Sequence, residues 1–357
     1  MHGTLGIAGR LQVAGWLTAR TGRDAVIEKK TTHSVVGAAV YTTSGGLLIS
    51  AVVILTLWLT GNYGSEPAQA ETVRDYTLEI VPKDIDYGGG AVWHAWTYNG
   101  TVPGTTIRVK VGELLRVKLV NKHNLVHSFH THLTNYEFKY DGSQANVIGN
   151  DGAGAMVPPG GEYTYEFRPT APGIYYYHCH SADSHHISGH IHQGLYGAII
   201  VEDPDAPPMR EEVLFMAESG HEREGNAPAY IMNGLGLPGG EPVLEQIYKE
   251  QGFAAVAAQL NKTVPAFNMT VNSPIKLHVI NIGDQIHSFH MHSATHVSLA
   301  TLDGKPWPAN VVPLVPGQAD TLLVNFTNPG LWLFHCHVVI HADQGMIGLF
   351  NVTAALQ

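Results

Sequence analysis

Cysteine is almost missing: the 357 residues hold two, Cys179 and Cys336. Each lies between two histidines, so no disulfide is expected, and cysteine usage says little about redox compartment. Positive charge is also scarce. Lys and Arg total 20 against 30 Asp and Glu, a formal net charge of −10, which leaves no basic footprint for nucleic acid. CxxC and HExxH are both absent, which removes the usual zinc patterns. The dense apolar run at 45–59 is short for a membrane crossing, although VVGAAVYTTSGG before it extends it to about 25 residues. Against these absences stands histidine, with 22 copies, more than Lys and Arg together. Imidazole is the commonest metal ligand among side chains.

Residues 1–34 are polar and contain glycine, and nothing there reads as a domain. Lys29-Lys30 precede the apolar run, and Ala68-Gln69-Ala70 after it is a small-x-small cleavage pattern. Two readings of 1–70 stand: a signal peptide cleaved after Ala70, or an uncleaved membrane anchor. In both, the order of basic before acidic flanks places the rest of the chain outside the cytoplasm, so an exported location is expected. A buried core helix is the plainer alternative.

From about Val73 the texture changes to short β-branched and aromatic runs broken by Gly and Pro, such as TIRVKVGELLRVKLVN and YGAIIVEDP. That is the pattern of an all-β sandwich. An acidic, proline-rich link at 201–212 separates two halves that align in register. HSFHTH (127–132) matches HSFHMH (287–292), APGIYYYHCH (171–180) matches NPGLWLFHCH (328–337), and GLYGAIIV (194–201) matches GMIGLFNV (345–352). A period this long is a duplicated domain rather than a solenoid. The expected organisation is a leader at 1–70, one β domain at 71–203 and a second at 204–357. Within the second, 242–260 reads as a helical insertion by its Ala, Glu and Leu content.

Each half carries two histidine clusters. In an extended H-C-H the cysteine faces one way and its two histidines the other, so one strand end serves two sites. A thiolate with two imidazoles and a weak thioether suits blue copper. In the second half His287, Cys336, His341 and Met346 supply that set. The other eight histidines form four H-x-H pairs: His130/His132, His178/His180, His290/His292 and His335/His337. Together they can hold three copper ions with positions open for a small molecule. A structural role in a β core would account for one such pair, not for four repeated in register beside two H-C-H segments.

Over residues 73–355 the chain resembles the two-domain multicopper oxidases, the group that includes the small bacterial laccases. The resemblance implies two tandem cupredoxin-like Greek-key sandwiches, a mononuclear type 1 copper and a trinuclear cluster that reduces O2 to water. It implies that His130 and His290 hold type 2 copper. His132, His178, His180, His292, His335 and His337 would hold the type 3 pair. The stretch HTHLTNYEFKYDG is similar to the small-laccase stretch after the first H-x-H pair. There Tyr136 falls at a redox-active tyrosine and Asp141 at an acidic residue suited to proton delivery. A packed strand tyrosine and a turn aspartate are the plainer alternatives.

The first half departs from the small laccases. They have aspartate where Cys179 stands, and no histidine at His127. Here His127, Cys179 and His190, with Leu195 in the axial place, make a second candidate type 1 site. Leucine cannot ligate, which generally gives a three-coordinate site of higher potential. His185 and His186 compete with His190 for the third position. The expected function is oxidation of a small reducing substrate, phenolic or similar, coupled to O2 reduction. A copper nitrite reductase and a non-catalytic cupredoxin carrier are the alternatives, though a carrier has no use for four H-x-H pairs. No methionine-rich segment marks a cuprous oxidase. Small laccases and nitrite reductases close as rings of three, so a homotrimer with clusters between subunits is expected.

Overall fold

The computed structural model describes residues 71–355 except 89, 144–154, 182–184, 221–228, 293–294, 299–306 and 309. The leader or anchor, its apolar run at 45–59 and the cleavage after Ala70 lie outside the described residues. Among the described residues no helix is long and apolar enough to cross a membrane.

The all-β expectation holds. Eight strands form the first half: β1 (Val73–Asp86), β2 (Val92–Tyr98), β3 (Ile107–Lys110), β4 (Leu114–Asn121), β5 (His130–Thr131), β6 (Glu162–Phe167), β7 (Gly173–His178) and β8 (Tyr196–Glu202). They make two sheets, ordered β2-β1-β4-β6 and β3-β8-β7-β5. In β4, LLRVKLVN alternates half-exposed and buried positions, as a strand with one wet face must. The two sheets close over a core that includes Leu78, Val117, Phe129, Tyr165, Tyr177 and Cys179.

Eleven described strands follow: β9 (Glu211–Ser219), β10 (Ala229–Met232), β11 (Ala266–Thr270), β12 (Ile275–Asn281), β13 (His287–Met291), β14 (Thr295–Ser298), β15 (Trp307–Pro308), β16 (Val311–Leu314), β17 (Ala319–Asn325), β18 (Gly330–Cys336) and β19 (Ile347–Thr353). Their sheets run β10-β9-β12-β17-β14-β15 and β11-β19-β18-β13-β16. The architecture is that of two cupredoxin-like sandwiches.

The last strand of each half is buried on both faces. In β8, Ile199 and Val201 enter the first core, while Tyr196 and Ala198 join Phe215, Ala217, Ile231 and Ile280 of the second half in a shared apolar seam. In the equivalent strand β19, Phe350 and Val352 enter the second core. Its other face, Ile347 and Leu349, lies under two helices, α2 (Gly240–Gln251) and α3 (Phe253–Thr263), through Leu244 and Leu260. The helical insertion thus covers in the second half the face that the second half covers in the first. The single helix expected over 242–260 is two, because Gly252 sits between them at φ +79° with an extended ψ that ends one helix and starts the next.

The repeated G-L-Y-G and G-M-I-G turns have a packing reason. Gly194 and Gly345 hold φ of +109° and +117°. A Cβ on Gly197 or Gly348 would collide with the ring of Tyr177 or Phe334, the aromatic two residues before each cysteine. That aromatic must lie flat on the next strand for the H-C-H segment to sit where it does.

Candidate metal centres

Strand pairing brings the histidines together. β5 sets His130 opposite His178 on β7, and β13 sets His290 opposite His335 on β18. In each half two imidazoles have Nδ1 tied to a backbone carbonyl. His130 Nδ1 donates to the Asp141 carbonyl at 2.6 Å, and His290 Nδ1 to that of Asn310 at 2.8 Å. His178 Nδ1 donates to the Cys179 carbonyl at 3.0 Å, and His335 Nδ1 to that of Cys336 at 2.9 Å. These bonds select one tautomer and leave Nε2 as the free donor atom. The Nε2 atoms of His132 and His178 lie 3.3 Å apart, as do those of His292 and His335. Two nitrogens bound to one ion at about 2.0 Å each would stand about that far apart.

Charge also favours a metal. Burial pushes His178 down to about 3 and His132 down to about 4, and the neighbouring His130 adds to both. Both rings are therefore neutral at pH 7, the form a metal needs. The rings of His130 and His180 are 4.7 Å apart, and those of His290 and His337 are 5.2 Å apart. All four H-x-H pairs are formed, two in each half.

The cysteines face the opposite way, into the cores, and meet their histidines at Nδ1. In the first half Cys179 Sγ lies 3.5 Å from His127 Nδ1 and 3.2 Å from His190 Nδ1, with the two nitrogens 3.2 Å apart. In the second, Cys336 Sγ lies 3.8 Å from His287 Nδ1 and 3.6 Å from His341 Nδ1, again with 3.2 Å between nitrogens. A trigonal ion with bonds of about 2.3 Å to sulfur and 2.0 Å to nitrogen would give about 3.7 and 3.5 Å. The donor set of one thiolate and two imidazoles, all buried, fits copper. His190 and His341 sit on short helices, α1 (His186–His192) and α4 (Val339–Asp343). Of the three candidates in the first half, His190 reaches Cys179. His186 starts α1 at φ +59°, and His185 packs against Trp96.

The axial positions correspond. Cys336 N donates to the Met346 carbonyl at 3.1 Å and Cys179 N to that of Leu195 at 3.0 Å. Met346 and Leu195 are both fully buried in their cores. Tyr136 and Asp141 stand beside the first-half histidines. The Tyr136 hydroxyl donates to Asp141 Oδ1 at 2.7 Å, Ser143 Oγ donates to Oδ2 at 2.5 Å, and Asp141 Oδ1 lies 3.6 Å from His130 Nδ1. Burial, then the bond to Asp141, raises the Tyr136 pKa above the usual phenol range.

Four further residues belong to these sites. The Trp96 ring lies 5.6 Å from His127 and 5.1 Å from His190. His123 Nδ1 faces His127 Nε2 at 2.8 Å. The Tyr230 ring stacks on His341 at 4.1 Å and 15°. Glu218 Oε1 lies 3.3 Å from His287 Nε2. Comparing NKHNLVH with NIGDQIH would have flagged His123; the other three come from distant strands and carry no local signal.

The multicopper oxidase family matches the chain twice, over residues 79–206 and 238–355. A probable nitrite reductase-hydroxylamine oxidoreductase fusion protein of Kuenenia stuttgartiensis is 27% identical over 77% of this chain and 31% of its own length. The copper-containing nitrite reductase of Neisseria meningitidis is 24% identical over 79% of this chain and 72% of its own. A multicopper oxidase crystal structure is similar with a TM-score of 0.63 at 28% identity, covering 79% of this chain and 90% of that one. The chain thus spans about a third of the Kuenenia relative. Two cupredoxin-like sandwiches with these donor sets define a copper oxidoreductase. The chain belongs to the multicopper oxidase family, in its two-domain, small-laccase-like form.

Proposed function

We propose that the protein is a laccase-like oxidase that takes electrons singly from a small phenolic or similar donor and reduces O2 to water. The observation that carries this is the four H-x-H pairs, gathered so that Nε2 of His132 meets that of His178 and Nε2 of His292 that of His335, while the cysteines between two of the pairs turn inward. His287, Cys336, His341 and Met346 would hold one type 1 copper; His127, Cys179 and His190, beside Leu195, a second. His130 and His290 would hold type 2 copper, and His132, His178, His180, His292, His335 and His337 the type 3 pair. Copper supplies the one-electron redox steps and the reaction with O2. The chain supplies the rest. His335 and His337 share the Cys336 backbone, so one covalent path joins the two kinds of site. Asp141, between Tyr136 and the His130 ring, would pass protons, and Tyr136 would hold one at its hydroxyl.

The reading includes an assembly. Among the described residues no ring contact joins the first-half pairs to the second-half pairs, and each half forms its own group. We take the cluster to close between subunits of a homotrimer, domain 71–203 of one facing domain 204–357 of the next. Export of the mature chain follows from the same reading of 1–70.

Nitrite reduction is the second reading, favoured by the Neisseria relative. Oxygen uptake with a phenolic donor, set against nitric oxide release from nitrite without oxygen, separates them. Uptake at four electrons per O2 is expected; nitric oxide without oxygen uptake would replace this reading with the second.

A further inference from the structure

The two cysteine sites differ in what stands behind the histidine of the H-S-F-H segment. In the first half, His127 Nε2 faces an imidazole, His123, at 2.8 Å. In the second, the equivalent position is Gly283, and a carboxylate from another strand enters the gap. Glu218, near the end of β9, is 8% exposed, and its Oε1 lies 3.3 Å from Nε2 of fully buried His287. Neither atom has another hydrogen-bond partner among the described residues. The separation is slightly longer than that of an aligned hydrogen bond.

The carboxylate is held in place. Asp284 N donates to Glu218 Oε2 at 2.9 Å. His192 Nε2 lies 3.9 Å from the same oxygen and 3.3 Å from Asp284 Oδ2. His192 ends α1, two residues past His190, and its carbonyl accepts from Gly220 N at 3.1 Å. A Cβ at position 283 would collide with Glu218 Oε2. The sequence NIGDQIH therefore needs its glycine for the carboxylate to reach the histidine.

We propose that Glu218 is a positioning residue for the second-half copper site, fixing His287 with Nδ1 toward Cys336 and lowering that site's reduction potential. The assignment rests on the copper reading above. A ligating histidine is oriented by the partner of its other nitrogen, and a carboxylate there makes the imidazole a stronger donor. A buried negative charge also favours the more positive, oxidised ion. Met346 acts in the same direction, whereas Leu195 stands in the axial place of the first half. Glu218 thereby lowers the potential of the second-half site and ties that site to α1, the helix that carries His190.

The test uses the copper-loaded full chain carrying Cys179→Ser, so that the remaining blue band reports the second-half site alone. Its potential is read by spectroscopic titration. Glu218→Gln, which keeps the shape and removes the charge, is expected to shift the reduction equilibrium at least tenfold toward the reduced ion, about 59 mV for one electron. Glu218→Asp should restore part of the shift. Gly283→Ala, which displaces the carboxylate without removing it, should move the potential the same way and serves if Glu218→Gln does not fold. In a Cys336→Ser chain, Glu218→Gln should leave the first-half potential unchanged. A blue band whose potential moves in neither variant, or equal movement at both sites, overturns the role of Glu218. Absence of any blue band in the Cys179→Ser chain overturns the copper reading itself and this assignment with it.

Discussion

At the scale of residues, the two cysteines separate the roles of the halves. Under the proposed function, Cys336→Ser should abolish nearly all oxygen uptake, because the second-half copper site and the backbone path to His335 and His337 would be lost together. Cys179→Ser should leave a blue protein with about one copper fewer per chain, since its ligands are independent of those of Cys336. Metal analysis and absorption spectra check both; an unchanged copper count in Cys179→Ser would remove the first-half site. His278 gives a pH prediction away from the metal ligands. Burial, with help from Lys276 and Arg108 and against Glu211, pushes it from 6.5 to about 4, and its Nδ1 meets Thr321 Oγ1 at 2.8 Å. An unfolded His278 binds its proton near pH 6.5, the folded one only near 4. The unfolded state therefore holds more protons in that window, and stability falls as pH drops through it, by at most about 3 kcal/mol. His278→Leu should flatten this part of the curve in denaturant titrations at pH 7 and 4.5; equal acid losses in both proteins would refute it. The donor residues themselves were legible because duplication printed them twice. Glu218 was not, since 69 positions separate it from His287, and it comes near only because β9 pairs with β12, the strand before the turn that leads to His287.

At the scale of elements, alternation and turn glycines made the strands legible. β4 and β17 each have one wet face, and their burial follows the period of two. β8 and β19 read as continuous apolar runs, and what covers their outer faces could not be read from them. One lies against the other half, the other under α2 and α3. The short helices α1 and α4 escaped because a turn or two of helix has no periodicity to show. Gly348→Ala tests the link between the turn and the site. The added methyl meets the Phe334 ring on β18, two residues before Cys336. It should cost about 1–3 kcal/mol by overpacking and shift the second-half blue band. Thermal unfolding and absorption read the two effects; a stable protein with an unshifted band would show that the ring has room to move.

At the scale of the whole molecule, the apolar seam of Trp93, Tyr196, Phe215 and Ile280 makes the two sandwiches one body, and the Tyr176 hydroxyl donates across it to the Gly317 carbonyl at 2.8 Å. Within that body the H-x-H pairs of the two halves remain separate groups. Tandem order and the register of the repeats were legible; the seam was not, because an apolar outer face looks the same whether a domain, a helix or a partner covers it. If the cluster closes between chains, its copper should leave on dissociation before either sandwich unfolds. Native mass spectrometry of the copper-loaded chain lacking residues 1–70 tests this directly, since one spectrum gives both mass and metal count. The expected species is a trimer carrying about five coppers per chain, one in each cysteine site and three in each shared cluster. A single chain that keeps all its copper and still consumes oxygen would contradict it.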